Sequence, residues 1–278
     1  MKELRSQHSI EKMSKVFEVS KSGYYRFLTS SHGKRAQEEK ILGEEIEVLF
    51  HEHKSRAGSP KILEDLKEKG YACGRKRVAR IMKKKGLSAK VPKKWKGIKR
   101  VVDQKKPNLL KQDFYASSQN CKWVSDITYI RTGKGWAYLC AIMDLYSRKI
   151  VSHNVKSHMR QEVVVHALEQ AMVRRKGSKK GLIFHSDQGV QYGSQSVEKL
   201  LEHNGIIGSM SSKGSCYDNA AMESFFSTLK RECVRGKIYK DVKAAENEIF
   251  KYIECYYNTK RRHSTLGYVS PTKFEEKY

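Results

Sequence analysis

The sequence predicts an α/β protein: a mixed five-stranded sheet with flanking helices, preceded by a small all-α region. Three observations carry this prediction. Helical patterns fill the first part of the chain, strand-like and helical runs interleave from Phe114 onward, and a lysine-rich stretch separates the two.

Residues 1–35 form a short helical segment. One helical pattern starts at Ser9 and ends at Glu18-Val19-Ser20; a second starts at Lys21, carries Tyr24, Tyr25 and Phe27, and is weakened by Ser22-Gly23. The pair is consistent with a helix-turn-helix fragment, and also with short helices joined by a polar turn. Residues 36–90 predict a helix-turn-helix-like DNA-binding domain. Ile41, Ile46, Leu49 and Phe50 mark one apolar face, and Ser59-Pro60 supplies an N-cap and N1 proline for a helix through Ile62, Leu63 and Leu66 that Gly70 ends. Next, Val78, Ile81 and Met82 repeat at helical spacing while Arg75, Lys76, Arg77, Arg80, Lys83, Lys84 and Lys85 cover the other faces. Such a helix packs by its apolar stripe and leaves cations for phosphates or a groove; a solvated basic face is the alternative.

Residues 91–113 have few apolar anchors and many lysines and predict a basic linker. Lys93 and Lys94 are candidate phosphate contacts there, and Trp95 can stack on a base or fold onto a domain.

Residues 114–278 predict the sheet domain with a C-terminal helical extension. Runs at 122–131, 135–146 and 148–155, joined by Gly133-Lys134-Gly135 and by Ser147, form an antiparallel meander. A helix from Gln161 to Arg174, a buried strand at 181–185, a helix near 194–203, a short strand near 206–210 and helices near 218–234 and 242–258 follow. That order fits a ribonuclease-H-like sheet.

Composition bounds the partner. The 278 residues carry 56 Lys and Arg against 30 Asp and Glu, a formal charge of +26, and from Arg75 to Lys106 there are fifteen cations and a single acid, Asp103. Nucleic acid is the expected partner. The six cysteines form no CxxC pair, which argues against a zinc site and for free thiols in a cytoplasmic protein. No run is long enough to predict a membrane span.

Three acids stand out. Asp126 lies inside CKWVSDITYI, Asp187 ends GLIFHSDQG, and Glu223 lies in the helical run DNAAMESFFSTLKREC. Carboxylates embedded in a sheet core are costly unless their charge is compensated, and acids converging from two strands and a helix would hold divalent cations. Asn219, Glu223, Phe226 and Lys230 fall on one helical face, which places Lys230 about 10 Å further along it. Asp218 is expected as a helix N-cap, while Asp144 can be structural or line the site. His185 can contact DNA or be a hydrogen-bonded core histidine. Gln188 and Tyr192 lie in a loop after a strand end, a common place for substrate contacts, and Asn219 is a further possible substrate contact. Lys213, in Ser209–Ser215, and Arg261 and Arg262, in a run with Tyr256 and Tyr257, are further candidate DNA contacts.

The spacing is 61 residues from Asp126 to Asp187, with thirty-five residues between Asp187 and Glu223. With the strings WVSDITYI, HSDQGVQYGS, SMSSKGSCYDNAAMESFFSTLKRE and YYNTKRRHSTLGYVSPTKFE, it resembles the DDE catalytic core shared by retroviral integrases and bacterial insertion-sequence transposases. Within that group it resembles the second-frame transposase of the insertion-sequence family numbered three, over roughly residues 10 to 275. The resemblance implies a DNA transposase that cuts at the terminal inverted repeats and transfers strands, with Asp126, Asp187 and Glu223 as catalytic and metal-binding residues and two Mg²⁺ ions for which Mn²⁺ can substitute. It also implies a copy-out route through a circular form, an upstream-frame product as fusion or partner, and a multimer on DNA. A catalytically inactive DNA-binding regulator and a ribonuclease H are the competing readings.

Overall fold

The computed structural model describes residues 1–29, 34–90, 106–212 and 216–278. Trp95, Lys93, Lys94 and Lys213 lie outside them. The chain divides into two compact units, Met1–Ala89 and Lys90–Tyr278.

The first unit is all-α. Helices α1 (Ile10–Val16) and α2 (Lys21–Thr29) precede α3 (Lys34–Glu52), α4 (Ser59–Glu68) and α5 (Arg75–Lys84). Ser9 caps α1 through the Lys12 amide at 3.3 Å. One core joins α3, α4 and α5 through Leu42, Ile46, Phe50, Ile62, Leu66, Val78 and Ile81. The expected cap of α4 moves by one residue: Gly58, in extended conformation, holds the N-cap position, and Ser59 is already helical. Proline tolerates either of the first helical positions, because neither needs its N–H, so sequence alone does not fix the register.

The second unit is a three-layer sandwich. Strands β1 (Lys122–Thr132), β2 (Gly135–Asp144) and β3 (Ile150–Lys156) form the antiparallel meander; β4 (Ile183–Ser186) and β5 (Ile207–Met210) add in parallel, giving the order β3-β2-β1-β4-β5. Gly135 closes the first hairpin at φ 108°, a conformation that other residues rarely adopt. Helices α6 (Glu162–Arg174) and α7 (Gln195–His203) cover one face through Trp123, Cys140, Ile142, Val164, Leu168, Val197 and Leu201. Helices α8 (Ala220–Leu229) and α9 (Val242–Tyr252) cover the other through Val124, Leu139, Met143, Met222, Phe225 and Ile249. Each of these two helices continues into a π turn, Lys230–Val234 and Ile253–Tyr257. A last helix, α10 (Pro271–Lys277), which the sequence pattern did not reveal, docks through Glu275 onto Ser147, Lys149 and Arg175.

Residues 106–113, expected as the end of a linker, pack on the second unit instead. Leu110 is buried in its core, and the Leu109 amide donates to Ser209 Oγ at 2.9 Å. Asp144 is fully buried and accepts from the Asn120 and Tyr146 amides at 2.9 and 3.0 Å, with Arg175 at 3.6 Å. It is structural. No helix among the described residues is long and apolar enough to cross a membrane.

Candidate active site

The parallel pairing of β1 with β4 builds the site. Ser125 pairs with Ser186, so the next residue on each strand, Asp126 and Asp187, emerges at the same carboxyl edge of the pair. Beyond Ser125, β4 no longer accompanies β1, which opens space beside Asp126. Asp126 is partly buried and Asp187 is exposed. Asp126 Oδ1 accepts from the Ile127 amide at 2.7 Å, and Asp187 Oδ1 from the Gly189 amide at 3.0 Å. A Cβ at Gly189 would stand 3.0 Å from that carboxylate oxygen and 3.2 Å from Gln191 Oε1, so a larger residue there would push on both side chains.

Helix α8 brings the third acid. Glu223 is exposed in its first turn, where the helix dipole favours negative charge. Burial, and then Asp187, push the Asp126 carboxyl up to about 8; Glu223 adds to the rise, while the Ile127 amide and Lys230 oppose it. The three acids therefore share one electrostatic neighbourhood. Lys230 is half-buried, its pKa lowered by burial and partly restored by Asp126, and its Nζ lies 4.9 Å from the centre of the Tyr129 ring.

Buried polar contacts set the backbone beneath Asp126. Asn219 occupies the N-cap position of α8 but spends its side chain elsewhere: Nδ2 donates to the Ser125 carbonyl at 3.0 Å. Ser125 Oγ donates to the Ala141 carbonyl at 3.0 Å and lies 2.9 Å from Tyr192 OH. Cys140, behind them, is buried with its thiol pushed up to about 12, so it offers no thiolate.

Several sequence expectations change. Tyr192 is 2% exposed and cannot be a substrate contact from the surface; it is a core tyrosine holding Ser125. His185 is fully buried, its ring nitrogens 2.9 and 3.2 Å from Ser209 Oγ and Ser211 Oγ, and burial pushes it down to about 4, which makes it neutral and structural rather than a DNA contact. Gln188 Nε2 donates to the Ser211 carbonyl at 2.9 Å. Asp218 is not an N-cap: it accepts from Asn108, Gln112 and the Ser212 amide at 2.9, 3.0 and 2.8 Å, tying the segment before β1 to the loop before α8. Two of these partners, Asn108 and Gln112, lie over a hundred residues upstream, where no local pattern reveals them.

The basic candidates also separate. Arg261 is buried against Glu232, with Nε 3.1 Å from Oε2, and Glu232 also accepts from Tyr252 OH at 2.9 Å; Arg262 is buried and donates to the Tyr268 carbonyl at 2.9 Å. Both are structural, not DNA-gripping. On α5 the cations stay at the surface. Arg80 pairs with Glu39 at 2.7 Å and Lys85 with Glu47 at 2.7 Å, while Arg77 and Lys84 stand 3.8 and 3.9 Å from Glu38 and Glu39. Such exposed pairs are worth little and exchange readily for phosphate. Arg75, Lys76 and Lys83 have no acidic partner within salt-bridge distance among the described residues.

Comparison with known proteins fits this architecture. Residues 116–216 and 223–278 match families described as integrase core domain, and residues 36–95 match an HTH-like domain. The transposase InsF for insertion sequence IS3A of Escherichia coli (strain K12) is 38% identical over 277 residues, covering 98% of this chain and 96% of that protein. The chain belongs to the IS3 transposase family. A second relative of this IS3-family transposase, the transposase for insertion sequence element IS904 of Lactococcus lactis subsp. lactis (strain IL1403), is 43% identical over 245 residues, covering 87% of the chain and 96% of the relative. Among solved structures, the catalytic core domain of BIV integrase aligns with a TM-score of 0.42 at 17% identity, covering 57% of this chain and 95% of that one. A simian T-cell lymphotropic virus intasome aligns with a TM-score of 0.46 at 12% identity, covering 83% and 74%. By its family matches, the IS3-family transposase joins an HTH-like region to an integrase core and acts on DNA.

Proposed function

We propose that this transposase cuts DNA beside the 3′ ends of its insertion sequence and joins those ends to another strand, with Asp126, Asp187 and Glu223 holding two Mg²⁺ ions for which Mn²⁺ can substitute. The observation that supports this most is the Asp126 carboxyl, pushed up to about 8 by burial and by two neighbouring acids. So much uncompensated negative charge suits cation binding. Among the described residues no three His, Cys, Asp or Glu side chains stand close enough together to hold an ion as they are. The donors fit in kind, however, because carboxylate oxygens are what Mg²⁺ prefers and neither His185 nor Cys140 competes. When bound, two such ions would make a nucleophile available at neutral pH and stabilise the leaving oxygen.

The residues then have distinct tasks. Lys230 holds a DNA phosphate beside the acids, while Asn219 and Tyr192, acting through Ser125, fix the strand that carries Asp126. In cleavage, a water oxygen bonds to phosphorus as the bond to the 3′-oxygen breaks, leaving a 3′-hydroxyl. In joining, that hydroxyl attacks a second phosphodiester and one bond replaces another, so no external energy source is needed. Arg75, Lys76, Arg77, Arg80, Lys83, Lys84 and Lys85, with Lys93, Lys94 and Lys213, hold DNA away from the reacting bond. The working form is a cytoplasmic multimer on paired ends, fused to or partnered by the upstream-frame product.

The test is to incubate labelled terminal-repeat duplex with Mg²⁺ and either the wild type or Asp126→Asn. The expected result is metal-dependent nicking and joining, lost in the variant while DNA binding survives. Undiminished nicking by Asp126→Asn refutes the assignment, and cleavage confined to RNA–DNA hybrids marks a ribonuclease H.

A further inference from the structure

Beyond Asp126, the first hairpin carries side chains that neither the core nor the proposed chemistry uses. On β1 and β2, Tyr129 is 42% exposed and Trp136 49% exposed, their ring centroids 5.3 Å apart and their planes at 89°. The register explains the meeting: Tyr129 pairs with Tyr138 and Arg131 with Trp136, so all four side chains share one face, which Lys156 of β3, paired with Tyr138, extends. Helices α6 and α7 cover this face around Trp123, Cys140, Ile142 and Val151, and their core stops short of the hairpin tip. Cross-strand aromatic pairs ordinarily stabilise a sheet by burial. Here about half of each ring remains open to water, so stability alone does not account for them.

The strands themselves carry charge of one sign on either side of the rings. No acid occurs between Asp126 and Asp144, or from Leu145 through Gln161. Arg131 and Lys134 are exposed and Lys156 is half-buried, while Lys230 lies over the Tyr129 ring and faces Asp126. Lys230 thus links the aromatic face to the three acids. Three residues of extended strand separate Tyr129 from Asp126, about 10 Å, with the two side chains on opposite faces of β1. A single strand would pass from one to the other around the edge that β4 leaves beyond Ser125, a path of about three nucleotide steps.

We propose that Tyr129 and Trp136, flanked by Arg131, Lys134 and Lys156, form a stacking platform for unpaired bases of a single DNA strand next to the scissile phosphate. Half-exposed aromatic rings interleaved with cations suit single strands, because every base has a face to stack and every phosphate a charge to meet, whereas paired bases in a duplex are unavailable. The platform deepens the DNA-cleavage reading by stating what happens to the DNA beside the cut: the strand end is unpaired and held open.

The test uses the full chain in EDTA, so that binding is read without catalysis. The probes are a fluorescent oligothymidylate and a blunt duplex of equal length, at one fixed salt concentration. Trp136→Ala should weaken oligothymidylate binding at least about fivefold, while Trp136→Phe keeps near wild-type affinity and duplex binding changes less than about twofold for both, since phosphate contacts carry it. Unfolding midpoints that match the wild type show that the fold is intact. Unchanged oligothymidylate affinity in Trp136→Ala overturns the platform, as does an equal loss for both probes. A change of oligomeric state with oligothymidylate affinity unaltered assigns the face to a second copy of this chain and likewise overturns it. Because nicking is scored separately, a wild type that nicks while Trp136→Ala binds normally fails the platform alone, and one that stacks oligothymidylate without ever nicking fails the cleavage reading alone.

Discussion

Asp126 and Asp144 lie on adjacent strands of one hairpin, and burial raises the carboxyl of each. Their surroundings are opposite. Asp144, paired with Trp123, receives two backbone amides and faces Arg175, which also meets Glu275 of α10. Lys149 and Ser147 complete that cluster. Asp126, paired with Ala141, receives among the described residues only the amide of its own neighbour and meets two further acids, with Lys230 as an opposing cation. A buried acid surrounded by donors holds the fold together, whereas a partly buried acid that faces other acids keeps charge the fold does not spend.

The sharpest way to break that contrast is to neutralise each acid. Asp126→Asn should lower nicking at least about a thousandfold, since metal-centred charge stabilisation is worth several kcal/mol, with no loss in unfolding free energy. Asp144→Asn should do the reverse, costing about 2 kcal/mol of stability with activity per folded molecule retained. Urea unfolding and single-turnover nicking on the same preparations decide it.

Removing a compensating cation is next in size. Arg175→Met leaves Asp144 and Glu275 buried without it and should cost about 3 kcal/mol; an unshifted urea midpoint would place the cluster among ornamental contacts. The same logic extends to Arg261, which meets Glu232 in the core. Arg261→Gln should destabilise by about 2–3 kcal/mol and leave the salt dependence of DNA binding unchanged, whereas Lys83→Ala should lower the slope of log affinity against log salt by about 1. A reduced slope in Arg261→Gln would return that residue to the DNA contacts.

The smallest effect concerns pH. Burial alone would raise Glu254, but His153 and Arg174, at 3.3 and 2.6 Å, outweigh it and bring the carboxyl down from 4.5 to about 2. A depressed acid contributes stability that is present above its unfolded pKa and lost as pH falls from 4.5 toward 2. Because the pair is partly open to solvent, about 1 kcal/mol is expected. The stability gap between wild type and Glu254→Gln should therefore be full at pH 7 and close across that acid window. A gap independent of pH would show that the side chain acts by packing.

Much of this was legible beforehand. Period-two runs located the three meander strands, 3.6-residue spacing located the long helices, and Asp126, Asp187, Glu223 and Lys230 stood out because acids in apolar strands and a lysine seven residues after a glutamate are local patterns. Helix α10 escaped because seven residues with one buried position carry little periodicity. Arg261 and Arg262 misled for a related reason. A cation beside aromatics looks the same in sequence whether it meets a phosphate or a buried glutamate twenty-nine residues away.

By itself the sequence determined the order of elements, the basic character of the helical region and which three acids to suspect, because backbone periodicity and local charge are written in consecutive residues. Tertiary structure alone decided which charges are spent inside the protein and which remain for DNA. Asp144 and Arg261 are neutralised by partners distant in sequence, His185 meets the hydroxyls of Ser209 and Ser211 and Tyr192 that of Ser125, and Tyr129 and Trp136 remain half-open where the covering helices end. Compensation depends on who is nearby in space, and only the folded chain sets that.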